Sequence, residues 1–183
     1  MPRLKRLVAV AVVVGVVLAP EPGLAAIWRV NGASMEPELH DGSMVIVDQV
    51  GPALHGYRRG DVVILEPPGD EGRYPMSTMI KRVVGLPGER VTVAGARIRI
   101  DGRSLHEPYL RQIGPRAGGA ELDIVVPDDA VFVMGDHRGE SFDSTAYGPV
   151  PIDQLHGRVL LILGPDRITA PTGSPLPHGY AAR

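Results

Sequence analysis

The sequence contains no cysteine, which excludes disulfides, thiolate metal sites and cysteine nucleophiles and leaves the compartment open. Aromatic residues are only 4% of the 183, too few for platforms that stack single-stranded bases. Neither sign of charge predominates. The 19 Lys and Arg face 21 Asp and Glu, a formal net charge of −2, which excludes a basic whole-domain footprint for nucleic acid. The six histidines (His40, His55, His106, His137, His156 and His178) are scattered without a pair at helical ligand spacing, so no metal site is expected. Lysine is nearly missing as well, with Lys5 and Lys81 alone among the basic residues. A GC-rich coding bias gives that skew without any functional cause, so what matters is where Lys81 stands.

Long apolar runs are scarce, and the one present is at the start. Residues 7–19, LVAVAVVVGVVLA, follow Arg3, Lys5 and Arg6. As helix this run spans ~20 Å, short of the ~30 Å hydrocarbon core. Extension through Pro20–Pro22 to Ala25-Ala26-Ile27-Trp28 reaches spanning length, with Trp28 placed as an interfacial anchor. A cleaved secretory signal with small residues at Leu24-Ala25-Ala26 fits equally well. Both readings put the basic end in the cytoplasm and the remaining chain outside.

Turn formers are abundant instead, with 23 glycines and 18 prolines, which disfavours helical bundles and favours short strands joined by turns. Strands are predicted at Ser43–Val47, Val62–Leu65, Met79–Val84, Arg97–Ile100, Val125–Val126, Val131–Met134 and Val159–Leu163. Asp101-Gly102 supplies a hairpin signal. The fold class is therefore mostly β, a sandwich or barrel. Residues 167–183 show no periodicity and read as a disordered tail.

Three places could carry chemistry. Ser34 lies in Val30-Asn31-Gly32-Ala33-Ser34-Met35-Glu36-Pro37-Glu38-Leu39, where Gly32 permits tight backbone geometry and Pro37 fixes the loop exit. Taken alone it is an ordinary turn serine. Lys81 stands inside an apolar run and shares a strand face with Met79 and Val83. Burial there favours the neutral amine, which can accept a proton as arginine cannot; the competing reading is a lysine snorkelling from a strand edge to solvent. In Gly135-Asp136-His137-Arg138-Gly139-Glu140-Ser141-Phe142-Asp143-Ser144, Ser141 could orient a lysine amine, and Asp143 could pair with Arg82 or Arg138. Otherwise this stretch is a polar turn. A Ser–His–Asp triad is disfavoured because the adjacent Asp136 and His137 rarely converge on one centre.

In this order the segments resemble the type I signal peptidases, membrane-bound serine proteases with a Ser–Lys dyad. Ser34-Met35-Glu36-Pro37 with Leu39 resembles the nucleophile box and Arg59-Gly60-Asp61-Val62-Val63 the next strand. Lys81-Arg82-Val83-Val84-Gly85-Leu86-Pro87-Gly88-Glu89 is similar to the lysine box. Gly135-Asp136, Arg138, Ser141, Asp143-Ser144 and Gly148 resemble the final box, and Asp101-Gly102 with Leu105, Glu107, Pro108, Tyr109 and Leu110 the ribbon inserted before it. The likeness runs from about Val30 to Arg158. Tyr147-Gly148-Pro149-Val150-Pro151 also resembles the mitochondrial inner-membrane branch.

The resemblance implies an antiparallel β-sheet or barrel catalytic domain at 29–166, a ribbon inserted at about 95–128, and an uncleaved anchor at 1–28. It implies removal of signal peptides from exported precursors at AxA-like sites, outside the bilayer, without metal or organic cofactor. Ser34 would be the nucleophile and Lys81 the general base. Ser141 would hold the amine, Asp143 would support the loop through a basic partner, and Met35 and Pro37 would contact substrate. Four positions depart from the family pattern. Gly32 replaces a serine that helps bind the oxyanion in some relatives, Glu38 a threonine, His137 an asparagine, and Thr145 an arginine that pairs with the aspartate. The alternatives are a surface domain that kept the scaffold and lost activity, and a specialised Ser–Lys processing protease. A self-cleaving repressor-type protease shares the dyad, but that class needs a DNA-binding region, and residues 1–28 read as apolar membrane sequence.

Overall fold

The computed structural model describes residues 24–68, 78–95, 97–110, 121–164 and 167–173. In chain order the elements are β1 (Ala25–Arg29), β2 (Met44–Asp48), α1 (Gly51–His55), β3 (Val62–Leu65), β4 (Met79–Gly85), β5 (Arg90–Ala94), β6 (Arg97–Ile100) and β7 (Arg103–Ser104). They continue with β8 (Leu122–Val125), β9 (Ala130–Met134), α2 (Ser144–Tyr147), β10 (Val150–Pro151), a 3₁₀ turn at Ile152–Gln154, β11 (Leu155–Leu163) and β12 (Ile168–Thr169). An eight-stranded sheet has the order β1-β2-β11-β3-β4-β9-β10, with β12 beside β11, and a four-stranded sheet has the order β7-β6-β5-β8. The pairings are antiparallel.

The burial patterns follow from the residues. Val62–Leu65 and Ala130–Met134 are buried throughout, as uninterrupted apolar strands must be when both faces are covered. Arg97–Ile100 alternates exposed and buried, the mark of a strand with one wet face. One cluster joins Val45, Val47, Val62, Ile64, Ile80, Val159 and Ile162 with Met35 and Leu39. Another, built on Val63, Leu65, Val83, Val131, Val133 and Val150, packs against Met79.

Three expectations from the sequence change. Ala25-Ala26-Ile27-Trp28, expected to extend the apolar segment, forms most of β1 and pairs with Val45–Asp48 of β2. Trp28 packs against the first core cluster and stacks on His156, because a strand edge and an apolar face compete successfully for residues that hydropathy alone assigns to lipid. Among the described residues no helix is long and apolar enough to cross a membrane, and the remainder of the expected anchor, residues 1–23, lies outside them. The segment expected as a ribbon holds strands of a four-stranded sheet that includes β5 from Arg90, and the last of them is Leu122–Val125 rather than Val125–Val126. Finally, the tail expected from residue 167 begins with β12, which pairs Ile168 and Thr169 with Leu163 and Ile162. Residues 174–183 lie outside the described residues.

Candidate active site

Ser34 is presented by a loop whose apolar residues are its anchors. Met35 and Leu39 are fully buried, and the Leu39 amide donates to the Met35 carbonyl at 2.9 Å. Burying side chains of this size is worth about 1.5–3 kcal/mol each, enough to pull the loop onto the core and leave Ser34 at its surface. The Glu36 amide closes a turn on Ala33. The Glu36–Pro37 bond is cis.

Lys81 comes from the middle of β4, opposite Val63 of β3, on the face shared with Met79 and Val83. It is 4% exposed. Its Nζ donates to Ser34 Oγ at 2.8 Å and to the Ile80 carbonyl at 2.9 Å. Removal from water favours the uncharged amine and brings its pKa down from 10.5 to about 8, with the Asp143 and Asp136 carboxylates pulling weakly the other way. The isolated lysine of the sequence and the turn serine thus meet, and burial favours the uncharged amine.

The loop after β9 holds this pair from behind. The His137 amide donates to the Ser34 carbonyl at 3.0 Å. This bond uses backbone, so the exchange of asparagine for histidine leaves it intact. Gly135 is obligatory by contact: a Cβ there would lie 2.2 Å from Ser141 Oγ and 2.5 Å from the Ser34 carbonyl oxygen. Asp143 caps α2. It accepts from the Gly135 amide at 3.1 Å, from the Thr145 amide at 3.1 Å and from Thr145 Oγ1 at 2.6 Å. The threonine hydroxyl thereby gives Asp143 a donor where the family pattern has an arginine.

Arg82 and Arg138, the expected partners of Asp143, place their hydrogen bonds elsewhere. Arg82 makes a bidentate pair with Asp136, Nε to Oδ1 at 2.8 Å and Nη2 to Oδ2 at 2.7 Å, both side chains fully buried. Arg138 donates Nη1 to Glu107 Oε2 at 2.9 Å, Nη2 to Glu107 Oε1, and Nε to the Gly135 carbonyl. Tyr109 donates to the same Glu107 and lies under the Arg82 guanidinium, 4.0 Å from ring centroid to Cζ. Asp136, Glu107 and Tyr109 were not legible as partners: charge and residue type say that a buried arginine needs acceptors, not which distant ones it finds.

A cleft of about 370 Å³ opens on Ser34 and Lys81. One wall is Trp28–Ser34, another Ile64 and Thr78–Lys81, and Glu140 and Phe142 stand at the rim. Gly32 lines it with φ +92°, its amide donating to Asp41 Oδ1 at 2.8 Å. The other expected contacts do not. Met35 is sealed in the core, and Pro37 lines a separate groove with Glu38 and His40. Ser141 Oγ is buried without a hydrogen-bond partner among the described residues, so the expected bond to the Lys81 amine is not formed; Ser34 and Ile80 take that place. Among the described residues no cluster of three His, Asp or Glu is arranged to hold a metal.

On this β scaffold a serine hydroxyl is bonded to a buried amine beside an open cleft. The family described as "Signal peptidase, peptidase S26" matches residues 3–163. Signal peptidase I of Bacillus amyloliquefaciens is 37% identical over 145 residues, covering 74% of this chain and 75% of that protein. Signal peptidase I S of Bacillus subtilis strain 168 is 36% identical over 146 residues, covering 74% and 76%. A crystal structure of a signal peptidase I from Enterococcus faecalis V583 aligns with 56% of this chain and 95% of that one, at 27% identity and a TM-score of 0.47. The chain belongs to the signal peptidase family, and is a serine endopeptidase by that membership.

Proposed function

We propose that the protein is a membrane-bound type I signal peptidase in which Ser34 is the nucleophile and Lys81 the general base. The observation that carries this reading is the 2.8 Å contact between Lys81 Nζ and Ser34 Oγ, made by an amine 4% exposed. The neutral amine takes the hydroxyl proton as Oγ attacks the scissile carbonyl, and an acyl-enzyme forms as the amine returns that proton to the leaving nitrogen. The same base then draws a proton from the hydrolytic water. The Ser34 amide is the oxyanion donor, a contribution of about 3 kcal/mol for one such group. Ser141 is assigned a positioning role through its loop, which the His137 amide ties to the Ser34 carbonyl.

Substrate adds as an extended strand. Pairing of β4 with β9 begins at Arg82, and Thr78–Lys81, which precede it, line the cleft. Main-chain hydrogen bonds along that edge give affinity, and the apolar cleft walls select the small residues of an AxA-like site. The substrates are signal-peptide-bearing precursors, held with the enzyme at the outer face of the bilayer by an anchor in the N-terminal apolar segment. Incubation of the detergent-solubilised chain with a precursor tests this. Cleavage after an AxA-like site that disappears in Ser34→Ala is the expected result; cleavage by Ser34→Ala, or none by the unsubstituted chain, removes the reading.

A further inference from the structure

The segment after β11 lies beyond the residues that match the family, which end at 163, yet it reaches the site. Gly164 donates its amide to the Arg167 carbonyl at 2.9 Å, and β12 is zipped to the end of β11. From there the chain passes the buried Pro171 to Thr172, whose peptide groups face two ways. The Thr172 amide donates to Glu38 Oε1 at 2.8 Å, and the Thr172 carbonyl accepts from Arg82 Nη1 at 2.7 Å. Glu38 belongs to the loop that presents Ser34, and Arg82 is the residue after Lys81. Gly173 then packs on Tyr109: a Cβ there would come 2.8 Å from the ring, at a φ of +76°.

Each contact has a physical reason to persist. A fully buried guanidinium must place its N–H groups on acceptors, since an unmet buried donor is costly. Asp136 takes two of them, Gly60 and Thr172 the carbonyl-directed ones. Glu38 stands where the family pattern has threonine, and its longer carboxylate reaches the Thr172 amide. Two features of this chain, the acidic residue in the nucleophile loop and the structured C-terminal segment, therefore meet each other.

We propose that Arg167–Gly173 is a clasp that holds the Ser34 loop and the Lys81 strand in register, with Glu38 as its positioning residue. Its catalytic consequence rests on Ser34 and Lys81 being the dyad. Loosening the clasp leaves substrate contacts in place and lets the hydroxyl and amine drift, so kcat falls rather than KM rising. Small misplacements of reacting groups cost about tenfold to a hundredfold in rate.

The test compares the full chain with a truncation after Gly164, with Glu38→Ala, with Glu38→Gln and with the truncated Glu38→Ala double variant, all in detergent. The truncation and Glu38→Ala are expected to lose kcat by about tenfold or more at a KM within about twofold. Glu38→Gln, which keeps an acceptor oxygen, is expected to retain most of the rate. The double variant should be no worse than the truncation, because both remove one contact. In hydrogen exchange, truncation should speed the amides of 31–39 and 79–82 while those of β5 and β6 stay unchanged. Unchanged kcat in a folded truncation, losses that multiply in the double variant, or exchange unaltered at 31–39 would each overturn the clasp. The exchange arm is independent of chemistry: if Ser34→Ala still cleaves, the dyad fails while exchange alone decides the clasp.

Discussion

Lys81 Nζ and Ser34 Oγ lie 2.8 Å apart although the residues are separated by 47 positions in the chain. The contact joins the middle of a buried strand to a loop pinned by Met35 and Leu39. Its proposed chemistry depends on the amine being dry, and five outcomes follow from that dryness and from the groups that support it.

Lys81→Arg keeps a cation but removes the proposed base in contact with Ser34 Oγ. Precursor cleavage should fall by about 10²–10⁴-fold or more, while far-UV circular dichroism remains that of the unsubstituted protein. Retained cleavage would take Lys81 out of the mechanism.

The rate should rise with pH through an apparent pKa near 8, where burial places the Lys81 amine. At pH 7 only roughly a tenth of the enzyme then carries the neutral base. A kcat/KM profile on a short peptide measures this, and a limb near ~6.5 would instead implicate a histidine.

Stability responds to the same group with a definite sign. With its pKa lowered from 10.5 to about 8 on folding, the unfolded chain binds more protons between those values, so stability rises with pH across that window. Below it the full cost of burying Lys81 as a cation is present, on the order of 3 kcal/mol. Lys81→Met should therefore raise the unfolding free energy at pH 7, with a smaller gain at pH 10, in urea titrations.

Asp136→Ala leaves the Arg82 guanidinium buried beside Lys81 without its carboxylate. Breaking a buried pair from one side costs about 3–5 kcal/mol, visible as a lowered urea midpoint. Asp143→Ala, which removes the cap of α2 and the acceptor of the Gly135 amide, should cost less, about 1–3 kcal/mol.

The central strands were legible because unbroken runs such as Val62–Leu65 and Val131–Met134 admit few other conformations between turn formers. Arg90–Ala94 carries the same alternation, with Val91 and Val93 buried, and its short polar flanks hid it. The site was legible in part. A lone lysine in an apolar strand marked a place to look, since residue type and spacing are local properties, but snorkelling to solvent stayed open until the structure buried it.

Residue order alone set the β character, the apolar neighbours of Lys81 and the turn that carries Ser34. Which partners meet was settled by the folded arrangement: Arg82 with Asp136, Arg138 with Glu107, and the Thr172 peptide between Glu38 and Arg82. The reason is range. Periodicity and turn chemistry act over a few residues, whereas these hydrogen bonds join positions as far as 134 apart and depend on how strands are ordered across a sheet.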